Sequence, residues 1–152
     1  MNKSPRMSII WIRGAAVIGT LFGLMTIREG GAVLFFDGPA REAAGNYVPF
    51  VLWFNFLAGF AYVLAGIGLW RRRRWATWAA FGIAAATLFV FAVFIWHVLN
   101  GGAYEFRTVI AMSLRSTIWV FIAAIAWLDS RSRSADPMSS AEPVLSPNNS
   151  EE

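Results

Sequence analysis

The sequence predicts an all-α integral membrane protein, in which a bundle of four transmembrane helices precedes a disordered cytoplasmic C-terminal tail. The chain has 152 residues, of which 57% are hydrophobic and 14% are charged, whereas a soluble domain carries about 25% charged residues. Four apolar runs are long enough to cross a bilayer, and basic residues flank most of them. This composition excludes a soluble globular enzyme. The lack of cysteine excludes disulfides, thiol nucleophiles, iron–sulfur clusters and cysteine zinc sites.

The four predicted spans cover residues 8–27, 48–70, 75–99 and 108–128. About 20 helical residues cross a hydrocarbon core of about 30 Å, and lipid forces each run to satisfy its backbone hydrogen bonds as a helix. Together the spans define a membrane domain over residues 1–128. Residues 129–152 are rich in Ser and Pro, show no apolar periodicity and end in two Glu, which predicts a disordered polar tail.

Basic residues predict the orientation of the spans, because cytoplasmic segments of membrane proteins are enriched in Lys and Arg. The larger group would lie on the inner side and comprises Lys3, Arg6, Arg71, Arg72, Arg73, Arg74, Arg131 and Arg133. The smaller group would lie outside and comprises Arg28, Arg41 and Arg107. Both termini are therefore expected in the cytoplasm. Arg13 interrupts the first apolar run and no cleavage site follows it, which favours an uncleaved anchor over a signal peptide.

The connections between spans contain turn and capping residues. The run 32–36 is too short to span, so it either rests in the outer interface or extends the first helix. Asp37, Gly38 and Pro39 then predict a turn. Gly101 and Gly102 allow a sharp turn after the third span, and Thr108 is placed to cap the fourth.

Small residues give every span a predicted contact face, because lipid supplies no hydrophobic drive and helices must approach closely. The predicted faces are Gly19 with Gly23, Ala61 with Ala65, Gly82 with Ala86, and the stripe Ser113, Thr117, Phe121 and Ala124 with Ser116 beside it. These faces fit either a compact bundle or a homo-oligomer.

Arg115 is the most informative side chain, because it lies about 10 Å inside the fourth span at about 1.5 Å per residue. A charge near the bilayer centre costs about 2.5–3.5 kcal/mol on insertion scales, so Arg115 should face the bundle interior. Asn55, Glu29 and Glu105 are the expected acceptors. Two interpretations stay open: a structural tie between helices, or a group that binds an anionic or carbonyl-bearing ligand.

A cluster of polar residues is predicted at the outer rim, where His97, Tyr104, Glu105 and Arg107 lie beside Asn100. A capped hairpin explains most of these residues, with a carboxylate favoured just before the fourth helix. Their convergence above Asn55 and Arg115 predicts instead a polar pocket for a quinone or lipid head group. The tentative ligand-binding residues are thus Asn55, His97, Tyr104, Glu105, Arg107 and Arg115.

His97 is the only histidine, so two histidines of one subunit cannot hold a haem. It fits an interfacial hydrogen bond, proton transfer at a quinone head group, or metal ligation. Met25, His97 and Met112 all fall in the outer half of the membrane, and thioether with imidazole would suit Cu(I). Nothing in the sequence sets their distances, so the cofactor expectation is a possible quinone and neither haem nor metal.

The chain resembles the DoxX-like group of small bacterial membrane proteins over roughly residues 10–128. The likeness rests on Arg13-Gly14 with Gly19 and Gly23, on the small residues from Leu57-Ala58-Gly59 to Gly66-Ile67-Gly68-Leu69, and on the basic turn 71–74. The resemblance implies four spans in a bacterial inner membrane. It also implies a link to quinone-dependent sulfur oxidation or redox complexes, although the lack of cysteine argues against direct thiol chemistry.

The leading hypothesis is a non-catalytic accessory or redox-associated subunit with a quinone or lipid head-group site at the outer rim. The alternative is a small oligomeric transporter or exporter of a solute or metal ion. An enzyme ranks third, because one histidine and scattered carboxylates do not assemble a nucleophile with its base. The expected partners are membrane lipids and further copies or a larger membrane complex. Nucleic acid is not expected, because the basic residues flank apolar runs.

Overall fold

The computed structural model describes the backbone of residues 5–134 and the side chains of residues 9–131. Every regular element in this part of the chain is a helix, which confirms the all-helical prediction. The helices are α1 (Pro5–Phe35), α2 (Pro39–Ala44), α3 (Pro49–Trp70), α4 (Arg74–Leu99) and α5 (Phe106–Ser134). Four of them, α1, α3, α4 and α5, contain stretches long and apolar enough to cross a membrane.

The four long helices form a closed ring rather than a row. α1 packs against α3 and α5, and α4 packs against the same two helices from the other side. The interface between α1 and α3 is the most extensive, whereas that between α3 and α4 is much smaller. The short α2 packs on α1. Side chains that point to the centre of the ring therefore come from all four long helices.

Two helices extend beyond their predicted ends. The segment after residue 27 continues α1 as far as Phe35, so of its two predicted placements the helical extension is confirmed. The predicted turn at 37–39 separates α1 from α2. α5 continues to Ser134, past the boundary at residue 128. Residues 129–134 therefore contradict the predicted start of the disordered tail, and residues 135–152 lie outside the described chain.

Glycines bring α1 and α3 into backbone contact. A Cβ placed on Gly23 would lie 2.8 Å from the Gly59 carbonyl oxygen and 2.9 Å from the Tyr62 Cβ. One heptad along each helix, a Cβ on Gly30 would lie 3.2 Å from the Phe56 Cβ, and one on Gly66 would lie 2.9 Å from the Ala16 carbonyl oxygen. A Cβ on Gly23 or Gly66 would overlap the opposite helix, whereas one on Gly30 would make only a tight contact, so this interface requires glycine at Gly23 of α1 and Gly66 of α3.

The other predicted contact faces are only partly used. Gly19 lies against α5, where a Cβ would meet the Ile122 side chain at 3.5 Å, and Ala65 is buried. Gly82 and Ala86 on α4 face outward. The stripe Ser113, Thr117, Phe121 and Ala124 is also exposed, so its prediction as a contact face within the bundle is wrong.

The stripe faces outward because other residues of α5 fill the core. Met112 and Trp119 of that helix point into the core, where both are fully buried, whereas Phe121 is exposed together with the stripe. The hydroxyl of Thr117 donates to the Ser113 carbonyl oxygen of its own helix at 2.9 Å, so the exposed stripe needs no partner helix.

The turn between α3 and α4 is fixed to the end of α5. Arg72 has a positive φ of 52°, with Arg73 N–H donating to the Gly68 carbonyl and Arg72 N–H to the Leu69 carbonyl, which is a Schellman motif. The guanidinium Nη2 of Arg72 lies 2.6 Å from Oδ1 of Asp129, a carboxylate whose side chain is 2% exposed. The turn between α3 and α4 is therefore tied to the end of α5 by this ion pair.

We expect Gly23→Ala to lower the free energy of unfolding by about 1–3 kcal/mol, because the added methyl would overlap the α3 backbone. Gly14→Ala on the same helix is the matched control, since a Cβ there meets no heavy atom within 4 Å. That control should be neutral or slightly stabilising, as alanine has the higher helix propensity. Helical circular dichroism during titration of mixed micelles with SDS measures both; equal effects would contradict the backbone contact.

Candidate functional site

The predicted rim residues Glu105 and Arg107 bind the neighbouring loop. Oε1 of Glu105 accepts a hydrogen bond from the Asn46 backbone N–H at 3.0 Å. Nη1 of Arg107 donates to the Ala43 carbonyl oxygen at 3.1 Å. The first contact joins the connection between α4 and α5 to that between α2 and α3, and the second joins α5 to α2. These two charged side chains therefore already have backbone partners that order this end of the bundle.

His97 and Tyr104 close the turn after α4. The Nε2 atom of His97 lies 3.4 Å from the Ala103 carbonyl oxygen, and its ring meets the edge of Phe50. Tyr104 packs edge-on against Phe94 at 6.2 Å between centroids. The turn itself follows the predicted hairpin, with Gly101 at a positive φ of 81°.

The cap of the fourth span differs from the prediction. α5 begins at Phe106, so Thr108 lies inside its first turn and its backbone N–H donates to the Glu105 carbonyl oxygen at 2.9 Å. Glu105 therefore occupies the N-cap position in place of Thr108, while its carboxylate reaches across to Asn46.

The three side chains named for a soft metal site have different surroundings. Met112 is fully buried in a cluster with Val48, Val51 and Phe94. Met25 is 59% exposed on the outer surface of α1. Among the described residues, no three His, Asp or Glu side chains form a group that could hold a metal ion.

Arg115 lies in the interior of the bundle, as its position in the sequence predicts. Only 6% of the residue is exposed. Its Nη2 donates to the Thr26 hydroxyl at 3.4 Å, and its guanidinium carbon lies 5.6 Å from the Phe22 ring centre and 6.0 Å from that of Tyr62. Nε and Nη1 are buried without a hydrogen-bond partner among the described residues. A hydrogen bond of 3.4 Å is long, so this charge has little compensation.

None of the expected acceptors hydrogen-bonds to Arg115 among the described residues. Glu105 is bound to Asn46, and Glu29 is exposed towards the C-terminal end of α1. Asn55 is half-buried on α3, and its Oδ1 atom is itself buried without a partner in the described part of the chain. Within residues 9–131 the salt bridges join other pairs, so no carboxylate neutralises Arg115 at ion-pair distance.

A buried polar layer surrounds Arg115 and includes residues that the sequence analysis missed. The Tyr62 ring packs against Trp119 at 4.6 Å between centroids, and its hydroxyl lies 3.4 Å from the Thr87 hydroxyl. The Ser116 Oγ and Trp119 Nε1 atoms are buried without partners in the described chain. Thr, Tyr and Trp are ordinary members of apolar runs, so the signal that the sequence offers for this layer is the spacing of four residues between Arg115 and Trp119 on one helix.

The chemistry of this layer is set by a surplus of donors. An arginine has five N–H donors, no acceptor and a charge that proteins do not remove. A guanidinium with two buried unpartnered nitrogens therefore favours a ligand oxygen that is anionic or strongly polarised, such as a carbonyl, carboxylate or phosphate. The Phe22 and Tyr62 rings supply apolar walls beside it. Such a layer can bind and orient a ligand, but it offers no nucleophile paired with a base.

Comparison of the chain with models of protein families, with curated proteins and with solved structures finds no match. The fold and the site therefore define only a class: a four-helix protein of membrane-spanning character with a buried cationic, donor-rich centre. The similarity to the DoxX-like group remains an expectation from the sequence.

We expect Arg115→Met to leave the free energy of unfolding unchanged or to raise it by up to about 3 kcal/mol, because it removes an uncompensated buried charge. Arg72→Met is the matched control, since it breaks an ion pair and leaves the buried Asp129 carboxylate without that partner. The control should lose about 1–3 kcal/mol. Thermal unfolding in detergent compares the two. A large loss of stability for Arg115→Met would show that Arg115 is a structural tie.

Proposed function

We propose that this chain is a multi-pass protein of a bacterial inner membrane, a non-catalytic accessory subunit that binds an acceptor-bearing amphiphile at Arg115. A quinone is the leading ligand and a lipid head group the second. The observation that carries the proposal is Arg115: the residue is only 6% exposed, and two nitrogens of its guanidinium are buried without a hydrogen-bond partner among the described residues. Burial without compensation is costly, and residues of this kind inside membrane spans mark binding sites.

The orientation proposed for the bundle has both termini in the cytoplasm. At the proposed inner end, Arg13 lies over the Trp70 ring at 5.4 Å and Arg131 over the Trp127 ring at 4.1 Å. Paired indole and guanidinium groups suit the interface between lipid and water. Together with the turn 71–74, these residues make that end the more basic one, which supports a cytoplasmic location.

A quinone fits the chemistry of the centre at Arg115 better than it fits that of the outer rim. Its carbonyl oxygen would accept hydrogen bonds from Nε and Nη1 of Arg115, and its ring would lie against apolar side chains such as Phe22 and Tyr62. Because Arg115 keeps its proton, it would stabilise negative charge on a ligand oxygen without itself transferring a proton. At the rim, by contrast, Glu105 and Arg107 are already bound to backbone groups. The proposed site is thus centred on Arg115, with the rim residues ordering the outer end.

Among the described residues of this layer no hydroxyl is paired with a carboxylate or histidine base, which favours binding over catalysis. The chain would then serve a redox complex by holding a quinone, as the DoxX-like resemblance implies. The alternative, an oligomeric transporter or exporter, would use the same buried charge of Arg115 to bind its solute. A buried guanidinium without a carboxylate repels cations, so that alternative would favour anionic solutes over metal ions. Its test is anion flux in proteoliposomes that is abolished by Arg115→Met.

We expect the wild-type protein, purified from bacterial membranes in a mild detergent, to retain quinone, and Arg115→Met to retain at least about tenfold less. One hydrogen bond to a charged donor contributes about 1.5–3 kcal/mol, and 1.4 kcal/mol corresponds to a factor of ten. Solvent extraction followed by mass spectrometry measures the bound quinone and phospholipid. Arg115→Lys, which keeps the charge and loses the planar donor fork, should also bind less.

The matched control is Arg107→Gln, which removes an arginine from the same helix at the rim and should retain quinone like the wild type. Loss of phospholipid in place of quinone in Arg115→Met would identify the ligand as a lipid head group. Loss in Arg107→Gln with retention in Arg115→Met would move the site to the rim. Equal retention in all variants would refute a ligand site at Arg115.

A further inference from the structure

Two apolar grooves flank α3 on the outside of the bundle. One lies between α1 and α3, has a volume of about 510 Å³ and is lined by Val17, Ile67, Trp70 and Arg71 among others. The other lies between α3 and α4, has a volume of about 410 Å³ and includes Gly82 and Trp75 in its lining. Each volume falls in the range of about 300–1,000 Å³ that is typical of ligand sites.

The two grooves share α3 as a common wall and lead to the same turn. Leu64, Ile67 and Arg71 follow one another at intervals of three and four residues, so they form one exposed ridge along α3 between the grooves. Arg71 stands at the end of that ridge. In the second groove, Trp75 directly follows Arg74, so this groove also ends beside the basic turn.

The turn carries exposed positive charge that the bundle itself does not neutralise. Arg71, Arg73 and Arg74 are all exposed, while Arg72 points the other way to form its ion pair with Asp129. α4 begins at Arg74 without a side-chain N-cap, so the free N–H groups of its first turn face the same region. Guanidinium groups beside a helix N-terminus form a strong site for a phosphate.

We propose that this ridge and turn bind one anionic diacyl phospholipid in the leaflet that contains the α3–α4 turn. Its phosphate lies against Arg71 with Arg73 and Arg74 nearby, and its two acyl chains lie in the two grooves on either side of α3. Charge complementarity selects the head group, and the paired grooves select a two-chain lipid over a soluble anion. The head-group end of this site is distinct from the buried centre at Arg115, whereas Tyr62 and Thr87 line the groove between α3 and α4 and also belong to the layer around Arg115. The phosphate contacts at Arg71 do not depend on a ligand at Arg115.

The test is native mass spectrometry of the full-length protein in a non-ionic detergent, titrated with phosphatidylglycerol or with phosphatidylcholine of identical chains. We expect phosphatidylglycerol to bind more tightly, and Arg71→Gln to weaken it about fivefold, since each arginine near a membrane surface contributes about that factor to binding an anionic lipid. Arg28→Gln removes a charge from the opposite end of α1 and should bind like the wild type.

The grooves are tested by Gly82→Leu, which fills the groove between α3 and α4; a Cβ at Gly82 meets no heavy atom within 4 Å, so the fold should tolerate it. We expect this variant to bind the lipid more weakly than Ala85→Leu does. That control places the same leucine side chain at an exposed position of α4 outside the groove lining. Equal binding of the two lipids, or equal effects of Arg71→Gln and Arg28→Gln, would overturn the proposal. So would glycerol phosphate binding as tightly as the lipid, or a dimer that is lost in Gly82→Leu without lipid adducts.

Discussion

The guanidinium of Arg115 carries a permanent charge in an interior that offers it one long hydrogen bond and two aromatic faces. The arrangement of the other helices around it follows from a second constraint, the backbone contact of α1 with α3. Only because Gly23 and Gly59 let these helices touch do Phe22, Thr26 and Tyr62 lie side by side against α5. The closely packed interface between α1 and α3 thus forms one side of the buried centre at Arg115.

The two ends of the bundle are joined by contacts of a different kind. At one end Glu105 binds the loop before α3 and Arg107 binds α2, and at the other the pair of Arg72 with Asp129 fixes the α3–α4 turn to α5. Polar groups at these ends are largely bound, whereas Nε and Nη1 of Arg115, Ser116 Oγ and Trp119 Nε1 are unpartnered within the described chain. A protein can retain such a costly centre when the centre serves binding, because stability and function are often opposed at the same residues.

The sequence was sufficient to predict the four long helices and the interior position of Arg115, because both follow from the free-energy cost of placing polar groups in an apolar medium. It did not predict which residues Arg115 meets. Spans that are apolar on all sides carry little information about the rotation of a helix about its axis. The stripe at Ser113 and Thr117 is therefore predicted to face the bundle, although it is exposed. Asp129 was assigned to the tail because its partner Arg72 is distant in the sequence and local composition cannot reveal the pair. Thr26 and Tyr62 were missed for the same reason.

The binding of a ligand at the centre of the bundle is tested most directly by photolabelling the wild-type protein in native membranes with an azido-benzoquinone that carries an isoprenoid chain. Peptide mapping by mass spectrometry then locates the label. The account predicts label on α1 near Phe22 and Thr26 and on α3 near Tyr62, and it predicts that unlabelled quinone competes with it. Label confined to the rim residues 97–107, or label that unlabelled quinone does not displace, would contradict a quinone site at Arg115.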